Sequence, residues 1–176
     1  MAKFKMGVTP SNPPVTARLG AGTGSSNNLT DKEQFKFVKL VGDSRYDLCS
    51  AGDKIEGQIV ALEKATQDGY TIGSVKVTGR INAICDGLEA TAGTGTIAVG
   101  DYVVVGTVVA KGTALSGTIP APKVCKATNQ PGANVDNLNK TGDLTKNVLF
   151  AWRVISLGDA GAVGDTCVIE RVTSGY

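Results

Sequence analysis

The chain has 176 residues with 18 Lys or Arg, 16 Asp or Glu and no His, which gives a net charge of +2 at pH 7. The hydrophobic fraction of 41% and the charged fraction of 19% exclude a coiled coil and a disordered charged tail. The 23 glycines and the 5% aromatic content predict many turns around a core of small aliphatic side chains, and the length predicts one main domain.

Residues 1–28 are predicted to form an extended N-terminal arm. Prolines at 10, 13 and 14 disfavour helix, and the Gly/Ser stretch at 20–26 has the composition of a flexible linker. A phosphate-binding glycine loop is excluded there, because Ser25 stands where a third glycine is needed and no lysine follows in register. The arm carries basic residues and no acidic ones. A solvated terminus without a binding role is the alternative interpretation of this composition. Its predicted partner-binding residues combine apolar anchors with cations: Lys3, Phe4, Lys5, Met6, Arg18 and Leu19.

Residues 30–33 match a capping box, in which a hydroxyl and a carboxylate satisfy the free N–H groups at the start of a helix. The following residues, 35–40, show no clear helical period and are ended by Gly42. The sequence therefore leaves two alternatives open here, a short helix or one helical turn that leads into a strand.

Residues 29–176 are predicted to form an all-β domain, a small β-barrel or β-sandwich. Gly-Asp and Asp-Gly pairs, which favour turns, punctuate the chain at short intervals. Strand-length apolar or alternating runs lie between them, and no βαβ rhythm is present. A long polar loop is predicted near 129–147. The predicted strands are residues 55–62, 70–78, 81–85, 102–110, 123–127, 148–157 and 166–172.

The four cysteines are predicted to be reduced, buried core residues. No apolar stretch of a signal peptide follows the first three residues, so we expect the protein to be made and kept in the cytoplasm. No two cysteines have the close spacing of a zinc site, and we expect no metal. We expect no membrane partner because there is no apolar run of about 18 residues, and no nucleic-acid partner because basic residues are not clustered.

The sequence favours a non-enzymatic protein without a cofactor. The absence of His removes the common nucleophile–histidine arrangements. Two Ser-Lys pairs, Ser74 with Lys76 and Ser116 with Lys111, are the remaining nucleophilic candidates. Acidic residues from which a glycosidase pair could be drawn are Glu56, Glu63, Asp86 and Glu89, but acidic residues in this chain fall mainly in turns, where local hydrogen bonding is expected.

Four stretches together resemble the capsid cement, or decoration, proteins of tailed bacteriophages. They are residues 57–62, 68–73, 99–106 and 112–115, and the resemblance extends over about residues 45–172. The chain departs from the simplest members of that family in its N-terminal arm, its 129–147 insertion and its four cysteines.

The resemblance implies a structural virion protein that binds the outside of a phage head, assembles in the host cytoplasm and stabilises the capsid lattice. Its implied partners are the major capsid protein and further copies of itself, as a dimer or trimer. The alternatives are a tail, fibre or coat module, a small β-fold binding module, or a Ser-Lys hydrolase.

Overall fold

The structure is a computed structural model that describes residues 14–20, 28–42, 45–63, 71–117, 120–128 and 152–172. In these ranges the secondary structure consists of eleven strands and one short 3₁₀ turn at Asp31–Glu33. The strands are β1 Val15–Leu19, β2 Phe37–Gly42, β3 Arg45–Leu48, β4 Gly57–Glu63, β5 Thr71–Lys76, β6 Arg80–Leu88, β7 Thr91–Ala92, β8 Val103–Val105, β9 Lys123–Lys126, β10 Trp152–Leu157 and β11 Thr166–Arg171. The predicted all-β barrel or sandwich is therefore confirmed.

The first five strands close into a barrel in the order β1-β3-β2-β4-β5, with β5 pairing back onto β1. Neighbouring strands are antiparallel except β1 and β3, which run parallel. Alternate residues of β5 point inward and are buried, as the pleat of a strand requires. The barrel closes tightly at Gly73, where an added Cβ would lie 2.4 Å from the Ala61 carbonyl oxygen and 2.6 Å from Leu19 Cδ1.

The remaining strands form a second sheet in the order β10-β11-β6-β9-β8, and β7 pairs with β6. Its pairs are antiparallel except β6 with β9. A bridge between Tyr102 and Arg153 joins the start of β8 to β10, so the two edges of this sheet also meet. This closure leaves the edges of β8 and β10 partly paired rather than open to another chain.

Two main apolar cores result. One fills the barrel and includes Ala17, Leu19, Val38, Ile59 and Val75. The other lies under the second sheet, is centred on the fully buried Trp152, and also takes in Phe37, Cys49 and Ile55 from the side of the barrel. The barrel and the second sheet therefore share apolar contacts.

The predicted boundary between arm and domain is wrong. Residues 15–19, assigned to the arm, form the strand that closes the barrel between β3 and β5. Ala17 and Leu19 are 7% and 3% exposed, because they point into the barrel. The Pro-rich segment before this strand and the Gly-rich segment after it concealed a five-residue alternating run. Residues 1–13 and 21–27 of the predicted arm lie outside the described residues.

Further local predictions can be compared with the described residues. The capping box at 30–33 is confirmed, and of the two alternatives left open, the helical turn that leads into a strand is the one observed. The strand predicted at 102–110 is wrong beyond Val105, because the chain leaves the sheet at Gly106. The predicted polar loop at 129–147 lies outside the described residues. None of the described segments forms a helix that is long and apolar enough to cross a membrane.

Candidate attachment site

The segment after β8, residues 107–117, covers an apolar cavity between the barrel and the second sheet. We call this segment the clamped loop, because it is held by one buried carboxylate from the barrel and one from the second sheet. The cavity has a volume of about 500 Å³. Its apolar walls include Phe37 and Leu48 from the barrel, Ile84 and Val105 from the second sheet, and Val109 and Leu115 from the clamped loop.

Asp86, on β6, holds the start of the clamped loop. This residue is only 1% exposed, and its carboxylate accepts hydrogen bonds from the backbone N–H of Thr107 at 2.6 Å and from Lys123 Nζ at 3.1 Å. Gly106 packs directly against it, since a Cβ there would lie 2.8 Å from Asp86 Oδ2. A glycine directly after β8 therefore leaves room for the carboxylate at the point where the strand ends.

Glu33, in the 3₁₀ turn of the barrel, holds the middle of the clamped loop. Its Oε2 accepts from the N–H of Thr30 at 2.7 Å and from the Thr30 hydroxyl at 2.8 Å. Its Oε1 accepts from the N–H of Gly112 and lies 3.6 Å from Lys36 Nζ. Lys36 in turn donates to the carbonyl oxygen of Ala110 at 2.9 Å. One buried ion pair therefore binds both a donor and an acceptor of the loop backbone.

Both carboxylates are held in their charged form. Burial raises the pKa of Glu33 and of Asp86, but hydrogen bonds outweigh it and the net pKa of each lies below its ordinary value. For Asp86 the lowering comes from Thr107 and Lys123, and for Glu33 it comes from Thr30, Gly112 and Lys36. Burial lowers the pKa of Lys36 more than its partner Glu33 raises it. The two anchors of the loop are thus charge-assisted hydrogen bonds, which are stronger than neutral ones.

The clamped loop presents a surface of small residues to solvent. Most of its residues are exposed, and Val108 at its start is 44% exposed. Lys111 is the one charged residue in its sequence. A loop that is fixed at two points loses little conformational entropy when a partner covers it, so its geometry suits binding to another protein surface.

The residues predicted to bind a partner are not brought together by the described part of the structure. Lys3, Phe4, Lys5 and Met6 lie outside the described residues. Arg18 is on the outer face of β1 and is exposed, whereas Leu19 belongs to the barrel core. The prediction that Leu19 is a docking anchor is therefore wrong, because its side chain is already buried inside the domain.

The predicted Ser-Lys pairs have different environments. Ser116 and Lys111 both belong to the clamped loop and line the cavity. Ser74 and Lys76 lie on β5, where Lys76 Nζ donates to the carbonyl oxygen of Arg80 at 2.5 Å.

The carboxylates considered for glycoside hydrolysis are engaged separately. Glu56 pairs with Lys54 at 2.8 Å, and Glu89 accepts from the N–H of Thr128 at 2.7 Å. Asp86 accepts a hydrogen bond from the N–H of Thr107, 21 positions away, so the expectation of local turn hydrogen bonding is wrong for this residue. Asp86 and Gly87 are one of the Asp-Gly pairs that predict turns, but both residues lie within β6. Sequence reasoning found Glu33 through the capping box and had no signal for the second partner of that carboxylate, Gly112.

The four cysteines are buried and free, which confirms their predicted place in the core. Burial raises the pKa of each thiol, to about 12 for Cys49 and about 11 for Cys125. At neutral pH these side chains are thiols rather than nucleophilic thiolates. Within the described ranges, His, Cys, Asp and Glu form no group of three or more that would hold a metal ion.

Comparisons of the chain with protein-family models, curated proteins and solved structures find no match.

Proposed function

We propose that the chain is a non-enzymatic structural protein that binds the outer surface of a phage head and stabilises its lattice. In this proposal the clamped loop is a main contact with the major capsid protein. Binding to the assembled lattice and not to its free subunits stabilises the lattice by mass action.

The observation that carries the proposal is that the buried charged side chains hydrogen-bond to the backbone of the clamped loop. Glu33, Lys36 and Asp86 are at most 6% exposed, and all three hold the backbone of one exposed, largely uncharged loop. A catalytic carboxylate needs access to a substrate, whereas these are enclosed and already hydrogen-bonded. The arrangement fixes the shape of a surface, which is what a protein that decorates a regular lattice requires. Two of the stretches that resemble cement proteins are part of this region: residues 99–106 lead into the clamped loop, and residues 112–115 lie at its centre.

Binding to heads tests the proposal. Heads of the encoding phage that lack the protein are mixed with the full chain and sedimented, and bound protein is located by cryo-electron microscopy. We expect saturable binding to the outer surface. Failure of the wild-type chain to bind heads, or its location in tails instead, would show that the proposed function is wrong.

Two matched variants test the contact surface separately. Val108→Asp changes an exposed valine of the clamped loop, and Val41→Asp changes a similarly exposed valine of β2. Both substitutions are expected to leave stability within about 0.5 kcal/mol, because neither side chain is buried. We expect Val108→Asp to weaken head binding at least tenfold and Val41→Asp to leave it unchanged. Equal binding by both variants would move the contact away from the clamped loop while leaving the function in place.

The N-terminal residues are proposed as a second contact. Lys3 and Lys5 supply positive charge, and Phe4 and Met6 supply apolar anchors. Deletion of residues 1–13 spares β1 and is expected to weaken head binding several-fold. Binding of the full chain should also weaken with added salt, because exposed charge pairs are screened. Unchanged binding after the deletion would exclude this contact.

A hydrolase is the second candidate function, because Ser116 and Lys111 line one cavity. A fluorophosphonate probe should label Ser116 if the pair is active, and Lys111→Met should abolish that labelling. The proposed structural role predicts no labelling of Ser116.

A further inference from the structure

Four basic side chains that are far apart in the sequence come together at the start of β6. Arg80 begins this strand, and Lys76 Nζ donates to the Arg80 carbonyl oxygen at 2.5 Å. In the sheet, Arg80 pairs with Glu170 of β11, and Glu170 pairs with Arg153 of β10. Arg171 follows Glu170, and its N–H donates to the carbonyl oxygen of the residue before Arg80 at 3.3 Å. We call Lys76, Arg80, Arg153 and Arg171 the basic cluster.

The basic cluster holds an excess of positive charge. Among the residues that the structure describes, one carboxylate, that of Glu170, pairs with it, at 3.3 Å from Arg80 Nε. Arg153 forms no ion pair with any described residue, although it lies opposite Glu170. Lys76 and Arg171 donate to backbone carbonyl oxygens, which are neutral acceptors. Four positive charges therefore meet one negative charge here, whereas the whole chain has a net charge of +2.

The outer face of β10, β11 and β6 is open to solvent around the cluster. Arg80 and Arg153 are exposed, and Glu170 is half-buried between them. In the next row of this face, Asn82 and Ser156 are exposed as well. The two arginines are two strand spacings apart, which is about 10 Å. One short segment of a partner can therefore contact both arginines at once.

These features favour a partner with carboxylates over a nucleic acid. Tight binding to a nucleic-acid backbone commonly uses about six to ten phosphate contacts, whereas the cluster offers four cations and would place Glu170 against the phosphates. Single strands also stack their bases on aromatic side chains, and the two exposed rows of this face contain none. A guanidinium binds a carboxylate through two parallel N–H donors, and no described residue accepts from the guanidinium of Arg153.

We propose that the basic cluster binds an acidic segment of a partner protein that carries at least two Asp or Glu side chains. Two carboxylates of the segment pair with Arg153 and Arg80, and Lys76 and Arg171 add attraction at longer range. Glu170 limits the affinity, because it competes for Arg80 and repels the incoming carboxylates. The proposal rests on the register of β10, β11 and β6, and it holds whether or not the chain attaches to heads.

An NMR titration of the isotope-labelled full chain with a synthetic acidic peptide tests the proposal. The peptide carries glutamates separated by glycine and serine, and the control peptide has glutamine in place of each glutamate. We expect saturable shifts of the Arg80, Arg153 and Glu170 amide signals, with a dissociation constant of roughly 1 mM because exposed ion pairs are weak. Added salt should weaken the binding, since exposed charges are screened. The glutamine peptide should leave these signals in place.

Three variants separate the charges of the cluster from the net charge of the protein. Arg153→Gln should raise the dissociation constant about threefold to fivefold, because one exposed ion pair contributes up to about this factor. Glu170→Gln should lower the dissociation constant by about twofold or more, because the competing carboxylate is gone. Lys32→Gln removes the same charge from an exposed position in the 3₁₀ turn of the barrel and should bind as the wild type does. The spectrum of each variant shows that it is folded.

Several outcomes would overturn the proposal. They are no shifts at the cluster, equal shifts with the glutamine peptide, a Lys32→Gln variant that loses as much affinity as Arg153→Gln, and a Glu170→Gln variant that gains none. An oligodeoxythymidine that binds the cluster more tightly than the acidic peptide would also overturn it, because the cluster would then be a nucleic-acid site.

Discussion

Removal of the Asp86 carboxylate should both destabilise the protein and release the start of the clamped loop. A hydrogen bond to a charged group contributes about 1.5–3 kcal/mol, and the Thr107 N–H makes one at 2.6 Å. The partner Lys123 is 43% exposed, so solvent reduces that ion pair to about 0–1 kcal/mol. The free energy of unfolding should therefore fall by about 1.5–4 kcal/mol in Asp86→Ala. Asp86→Asn keeps an acceptor for Thr107 but faces Lys123 with an amide group, and about 1–2 kcal/mol is expected.

Urea denaturation measures this loss. The single tryptophan, Trp152, is fully buried in the core of the second sheet, so its fluorescence reports unfolding there. Asp159→Asn is the matched control, because Asp159 lies exposed in a turn, and it should change stability by less than about 0.5 kcal/mol. An Asp86→Ala variant as stable as this control would refute the assignment of Asp86 as an anchor.

Hydrogen exchange separates the two anchors of the loop. In Asp86→Ala the amide of Thr107 should lose protection, whereas the amide of Gly112 should keep it, because Glu33 still accepts from Gly112. Simultaneous loss of protection at both amides would show that the loop opens as one unit and that the two clamps do not act separately.

The contribution of Asp86 should depend on pH with a defined sign. Its pKa in the folded protein lies below the ordinary value of 3.8, so its stabilising effect is complete above that value. The effect is lost as the pH falls through the lowered folded pKa. The stability difference between wild type and Asp86→Asn should thus be constant near neutral pH and shrink in strong acid. A difference that grows in strong acid would contradict this linkage.

Three further predictions concern other parts of the chain. Glu33→Gln leaves one of the two side-chain oxygens of residue 33, so the free energy of unfolding should fall by about 1–3 kcal/mol. The Gly112 amide should then become exposed to exchange while the Thr107 amide stays protected. Protection of both amides would contradict this. Deletion of residues 1–13 should barely change Tm, whereas deletion of residues 1–19 should lower it by at least roughly 10 °C, since it removes β1 and the burial of Leu19; equal Tm values would refute the role of β1. The four cysteines should resist iodoacetamide in the native protein and all react after unfolding without reductant, as judged by mass spectrometry, and thiols that stay blocked would indicate disulfides.

The sequence by itself determined the fold class, most of the strands and several turns. Alternation in β5 and the apolar runs of β6, β9 and β11 predict strands because successive side chains point to opposite faces. The turn at Gly100 and Asp101 is readable because a glycine tolerates positive φ and a carboxylate caps a nearby N–H. The capping box at Thr30 and Glu33 is equally local. All of these signals act within a few residues, so the chain order alone reveals them.

Only the tertiary structure decided which distant segments meet. Val15–Leu19 lies between a Pro-rich and a Gly-rich segment, and it becomes a strand because β3 and β5 provide hydrogen-bond partners and an apolar interior. Asp86 resembles a turn residue until β9 and residues 106–107 enclose it. The sequence Ala-Val-Gly-Asp occurs twice, at residues 98–101 and 162–165. Only the structure shows that the first copy hydrogen-bonds to β10 and the second to β6. Long-range contacts depend on loop closure and on the total packing of the domain, which residue-by-residue preferences do not contain.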